Sequence, residues 1–138
     1  ANVFKQAALA RRTKAAFERA VQLDASYVDP REGLLQYYLL APSLLGGSEE
    51  KARQQAAEIR ARSAYRGAFA FAQIAQKRKD WPTVAREMDA LTRQYPDSMA
   101  PWIGLGNALG QQRRWDEAWA AADRMLAAMD GAPGAQYV

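Results

Sequence analysis

A chain of 138 residues, 49% of them hydrophobic, has the size of one domain and enough apolar side chain to fill a core. It contains no Cys and no His, which excludes disulfide frameworks, zinc sites built on those ligands, cysteine nucleophiles and any Ser-His-Asp arrangement. The net charge of +4 is only a weak pointer to polyanions, and an alanine content of about a fifth over few Val, Ile and Thr favours close-packed helices over strands.

Helix punctuation divides the chain into seven predicted helices, and the charge falls in blocks along them. The first, 3–23, is net basic. The second, 29–40, opens on Asp29-Pro30, read as an N-cap and a proline at the first helical position, and lies in the net acidic block 24–50. After it comes Ala41-Pro42-Ser43-Leu44-Leu45-Gly46-Gly47, longer than an ordinary turn between paired helices. The third helix, 48–62, starts at Ser48-Glu49-Glu50, a hydroxyl cap with two carboxylates beside the positive end of the helix dipole. With the fourth, 65–78, it forms the most basic block, 51–79, which includes Arg60, Arg62, Arg66 and Lys77-Arg78-Lys79. The fifth, 81–94, follows Asp80 and carries Trp81-Pro82; the sixth, 98–112, follows Asp97; the seventh, 115–129, has Asp116 and Glu117 in its first turn. Apolar residues recur at helical spacing throughout, as in Leu34, Leu35, Tyr38; Ala52, Ala56, Ile59; Val84, Met88, Leu91; and Ala118, Ala122, Met125. Residues 133–138 are predicted as a tail, and no run approaches the roughly 18 apolar residues of a membrane span.

Sliding the chain by 34 residues superimposes Trp81 on Trp115, Phe71 on Leu105, Ala72 on Gly106, Gln73 on Asn107 and Val84 on Ala118. Residues 99–132, with Trp102, Leu105, Gly106, Leu109, Trp115 and Ala118, resemble a tetratricopeptide repeat, and the run Trp115-Asp116-Glu117-Ala118 is similar to that family's start of a second helix. Residues 65–98 match more loosely through Ala68, Phe71, Ala72, Ala75, Trp81 and Pro96, and residues 28–64 through Leu34, Tyr38, Ala52 and Ala56 with a lengthened turn. Residues 1–27 supply a half repeat, so a further helix is expected upstream of Ala1. The expected fold is all-α: a right-handed solenoid of antiparallel pairs forming a single domain over 1–132, its hand implied by the resemblance. Ala72, Gly106 and Ala118 are expected to let helices approach closely, and Trp81, Trp115, Tyr38 and Phe71 to fill the space between pairs.

The resemblance implies a concave groove lined by the first helix of each pair. It places Glu32, Gln36, Leu39 and Leu40 there from one unit, Arg66, Phe69, Ala70, Gln73 and Lys77 from the next, and Ile103, Gly104, Asn107 and Gln111 from the last. One place carries an amide in every unit, Gln36, Gln73 and Asn107, and an amide can pair with the backbone of an extended peptide. Arg66 and Lys77 are expected to take a carboxylate, and Phe69 and Ile103 an apolar side chain. The bland alternative is a solvated polar helix face. The family's clamp for C-terminal carboxylates is not expected, because its places hold Glu32, Gln36, Ala70, Ala100 and Gly104.

Leu44 and Leu45 either tuck into the edge of the repeat or form an apolar hook for a partner, with tucking the plainer expectation. Gly46-Gly47-Ser48 offers a weak anion-binding pattern. The spacing Gly104-x-Gly106-x-x-x-Gly110 lies inside a helix with no preceding strand and is not a dinucleotide fingerprint. The expected function is therefore non-catalytic: a scaffold binding a peptide or helix of a partner protein, with no cofactor and no metal. The alternative is self-assembly through Phe4, Leu9 and Phe17 of the half repeat, and behind both stands a polyanion-binding adaptor through 51–79, with nucleic acid not expected as a partner. The extended loop also resembles that of exported bacterial proteins of this repeat type, which favours a bacterial periplasm over cytoplasm.

Overall fold

The computed structural model describes residues 2–130, among which there are seven α-helices and no strand. They are α1 (Val3–Leu23), α2 (Val28–Leu40), α3 (Glu49–Arg62), α4 (Ala64–Lys77), α5 (Trp81–Gln94), α6 (Met99–Gln111) and α7 (Trp115–Asp130), with a 3-10 turn at Ser43–Leu45. The predicted tail at 133–138 lies outside the described residues. Tertiary contacts divide the chain into two compact units, Ala1–Ile74 and Ala75–Val138, with the boundary inside α4.

Local chemistry sets the helix starts. Asn2 accepts from the Phe4 amide (2.9 Å), Ser48 from the Lys51 amide (3.2 Å) and Asp80 from the Thr83 amide (3.2 Å), each covering an N–H that the helix itself leaves unpaired. Asp80 also accepts from the Thr83 hydroxyl, and the two bonds hold its carboxyl below the ordinary range. Asp29 does not cap α2. Tyr27 occupies the cap position, Val28 is the first helical residue, and Asp29 lies in the first turn.

In the first unit the core joins Leu34, Leu35, Tyr38 and Leu39 of α2 to Ala52, Ala56 and Ile59 of α3 and to Ala70 and Ile74 of α4, with Phe17 and Val21 of α1 packed against it. Leu39, expected in the groove, is thus a core residue, whereas Leu40 is exposed. Gly33 admits the Phe17 ring, which a Cβ would meet at 2.5 Å, and this brings α1 onto α2. Ser63 alone separates α3 from α4, and the helices cross so tightly that a Cβ on Gly67 would lie 2.4 Å from Arg60 Cα. Arg31, buried, closes the turn before α2 by donating to the Ala25 carbonyl (3.1 Å) and to Gln55 (3.4 Å).

In the second unit Val84, Ala85, Met88 and Leu91 of α5 pack with Trp102, Leu105, Ala108 and Leu109 of α6, while α7 buries only Ala121. The turns repeat. Before α5, Lys79 adopts φ +57° and the Ala75 carbonyl accepts from both Arg78 (3.1 Å) and Asp80 (2.9 Å). Before α7, 34 residues on, Arg113 adopts φ +56° and the Leu109 carbonyl accepts from both Gln112 (3.1 Å) and Arg114 (3.0 Å). The expected roles of two residues change. Gly106 has no atom within 4 Å of where a Cβ would stand, so it mediates no close approach. Trp115 packs against Gly110 and stays mostly exposed instead of filling space between pairs.

Arg124 ties α7 to this core. It donates to Asp89 (2.8 Å) and to Thr92 Oγ1 (3.1 Å), and its guanidinium lies 5.1 Å from the Trp102 ring centroid. Arg93 also donates to Asp89 (3.0 Å). Partial burial raises the Asp89 pKa, but the two guanidinium groups outweigh it and hold the carboxyl below the ordinary range.

Two stability predictions follow from these cores. Ile59→Ala leaves a cavity in a site with no exposure and is expected to lower stability by about 3 kcal/mol in urea denaturation. Asp89→Asn is expected to cost about 1 kcal/mol at pH 7, allowing for solvent screening of a third-exposed pair. Because the native Asp89 pKa is depressed, its contribution is full above the unfolded value of about 3.9 and is lost as pH falls through the lower native value. Thermal melts of the two proteins should therefore converge as pH falls below about 4.

Candidate functional site

The α2 and α4 helices bring the first half of the expected groove set to one cleft. Asp29, Glu32 and Gln36 recur every three or four residues on α2, and Arg66, Phe69 and Gln73 do so on α4, so each helix turns one stripe to the other. Gly33, Leu35 and Ala70 complete the lining of a space of about 510 Å³. The Tyr65 ring lies beside Phe69, 5.2 Å between centroids at 49°.

The charges within it are already paired. Arg66 donates from Nε to Glu32 Oε1 (2.6 Å) and from a terminal nitrogen to Asp29. Its pKa is raised by both partners, Glu32 foremost, so it is a permanent cation. Asp29 accepts from Arg66 and from the Tyr27 hydroxyl, which together hold its carboxyl below the usual range, and the Tyr27 phenol is correspondingly pushed up. The expectation that Arg66 takes a ligand carboxylate is therefore corrected: two carboxylates of α2 already hold it, and this wall of the cleft carries one negative charge in excess. Gln36 Nε2 donates to Gln73 Oε1, which leaves Gln36 Oε1 as an acceptor and Gln73 Nε2 as a donor at the rim.

Of the remaining predicted groove residues, Lys77 is exposed one turn beyond Gln73 on α4. Ile103, Asn107 and Gln111 form an exposed stripe along α6 in the second unit.

The long connection before α3 is a closed backbone structure. The Pro42 carbonyl accepts from Leu45 (2.9 Å) and Gly47 (3.0 Å), the Ser43 carbonyl from Gly46 (3.0 Å), and the Tyr38 carbonyl from Ser48 (2.9 Å). Gly46 stands at φ +95°, and a Cβ on Gly47 would strike the Ala41 carbonyl, so both glycines are required. Because the three N–H groups of Gly46, Gly47 and Ser48 are consumed internally, the anion-binding reading is overturned. Leu45 is half-buried, with its carbonyl accepting from the Tyr37 hydroxyl, whereas Leu44 is 91% exposed, so only one of the two leucines tucks in.

Among the eight bases of the block 51–79, Arg53, Arg62 and Arg66 are paired with acids. Arg53 pairs with Glu49 (2.9 Å) and Arg62 with Glu58 (2.6 Å), while Arg60 lies 4.2 Å from the Phe71 ring centroid. The sequence patterns also pass over a cleft of about 390 Å³ in the second unit, lined by Asp89, Arg93, Arg114, Glu117 and Arg124 together with Leu105, Leu109 and Ala121. Arginine at three-to-four-residue distance from an acid on α5 was the available signal. Among the described residues, no helix is long and apolar enough to cross a membrane, and no three Asp or Glu stand together as metal ligands do. No family model, curated protein or solved structure matches the chain.

Proposed function

We propose that the chain is a non-catalytic protein-interaction scaffold of tetratricopeptide type that holds an extended peptide segment in the cleft between α2 and α4. The observation that carries this reading is the composition of that cleft. A peptide-sized space has a half-buried aromatic, Phe69, in its α4 wall and, one turn along, an amide pair, Gln36 and Gln73, with hydrogen-bonding capacity to spare. A peptide backbone offers alternating N–H and C=O groups, which match Gln36 Oε1 and Gln73 Nε2 without reading side chains. Side-chain choice comes from Asp29 and Glu32. The Glu32 oxygen not held by Arg66, together with the excess negative charge, favours lysine, arginine or amide side chains and disfavours acids. The identical turns before α5 and α7 support the repeat assignment, since a 34-residue period recurs in backbone geometry as well as in side-chain pattern.

Selection from a displayed library of random linear peptides tests this. The expected outcome is enrichment of sequences containing Lys, Arg, Asn or Gln. Gln36→Ala with Gln73→Ala should weaken a selected peptide about tenfold, or about 1.4 kcal/mol, in titration calorimetry, with an unchanged melting temperature because both side chains are exposed. A library that yields no enriched peptide, or peptides indifferent to the double substitution, would remove the proposal.

A further inference from the structure

The α6 and α7 helices leave a third cleft, of about 260 Å³ and almost wholly apolar, between Met99, Ile103 and Gly106 on one side and Ala118, Ala122 and Met125 on the other. It is open because three of these positions are Gly or Ala, with no atom near the missing Cβ of Gly106. Apolar surface continues beyond it: Ile103 is 56% exposed, Leu126 56% and Trp119 72%. Contiguous apolar surface of this kind marks an interaction site.

The first helix is a second apolar surface of opposite charge. No residue of α1 is buried, and Phe4 is 85% exposed, with Val3 and Leu9 also exposed. Along the same helix run the exposed Lys5, Arg11, Arg12 and Arg19. On α7 the acids are Asp116, Glu117, Asp123 and Asp130; the helix's single base, Arg124, is committed to Asp89 and Glu117 is paired with Arg114, which leaves Asp116, Asp123 and Asp130 as its exposed negative charges. Pairing either surface with its own copy would set like charges together; pairing one with the other sets opposite charges together.

We propose that α1 of one copy docks in the α6/α7 cleft of a second copy, with Phe4 entering the cleft and the bases of α1 lying along the acids of α7. The two patches differ, so the contact is heterologous, and each copy retains one unused half of it. This inference is independent of peptide binding at the α2/α4 cleft, which uses none of these residues.

Sedimentation equilibrium over a wide concentration range, with two variants, tests the assignment. Wild type should show a mass that rises with concentration. Phe4→Asp with Leu9→Asp, and separately Ile103→Asp with Leu126→Asp, should each stay monomeric, since all four positions are exposed and helical content by circular dichroism should hold. An equimolar mixture of the two variants should form a one-to-one dimer and nothing larger, because each keeps the half the other lacks. Should either variant lose helical content, charge reversal replaces it: Arg11→Glu with Arg12→Glu should weaken association at least tenfold, and a partner carrying Asp116→Lys with Asp123→Lys should restore it. A wild type that is monomeric at every concentration would overturn the proposal. So would an oligomer that persists in either variant, or variants that fail to combine.

Discussion

The second unit depends on one backbone device, a single carbonyl at the end of a helix that accepts two N–H groups from the following turn. At Ala75 and again at Leu109 this bond pair draws the chain through a left-handed residue and into the next helix. Left-handed backbone at a residue with a Cβ costs on the order of 1 kcal/mol, and here Lys79 and Arg113 carry it without glycine. The hydrogen bonds that require it satisfy carbonyls which a helix end otherwise leaves open. Because the same bonds recur 34 residues apart, α5 and α7 leave their turns along equivalent paths. In this unit Met88, Leu91, Leu105, Leu109 and Ala121 are buried, and the bonds of Arg124 to Asp89 and Thr92 fix α7 on that core.

The first unit lacks that uniformity and is adjusted by glycine. The connection before α3 is long and the one before α4 is a single residue, Ser63, so the two departures from regular spacing fall on either side of α3. Gly47 and Gly67 are the positions where the chain passes closest to itself, against the Ala41 carbonyl and the Arg60 backbone. The consequence reaches the cleft. With α4 set directly after α3, Arg66 arrives opposite the first turn of α2, and Asp29 turns to it instead of capping its own helix.

This sets what was legible in the sequence. All seven helices begin and end within one residue of the predicted limits because their signals act over three or four residues: Ser48 on Lys51, Asp80 on Thr83, and apolar spacing along each face. The α7 helix, whose acids lie in its first turn as expected, likewise begins at Trp115. What failed depended on partners far along the chain. Asp29 read as a cap because its competitor, Arg66, is 37 residues away. Arg31, Asp89 and Arg124 attracted no notice because a charged residue on a helix reads as solvated, whereas here each is held by a carbonyl, a hydroxyl or an opposite charge from another element. The family resemblance placed Glu32, Gln36, Arg66, Phe69, Ala70 and Gln73 in the α2/α4 cleft but neither Asp29, Gly33 nor Leu35, and it did not give the sign of the charge, since that required knowing that the one base was already paired.

Small residues show the same limit from the packing side. Gly33, Gly67 and Gly106 are indistinguishable as letters in a helical pattern, yet the first two are filled by Phe17 and by the Arg60 backbone, and the third faces open space. A missing side chain means close approach only when a neighbour comes to occupy its volume. Where none comes, as at Gly106 beside Ala118 and Ala122, the same composition makes a cavity with apolar walls. Charge blocks divide in a parallel way. In the basic run 51–79, Arg53, Arg62 and Arg66 are answered by Glu49, Glu58, Asp29 and Glu32, while most bases of α1 and most acids of α7 have no complement on their own helix. An unanswered charge beside an unfilled apolar surface constrains a partner twice over, in sign and in shape. In this chain both constraints fall on the first helix and the last pair, whereas in the α2/α4 cleft the charges are already balanced to within one.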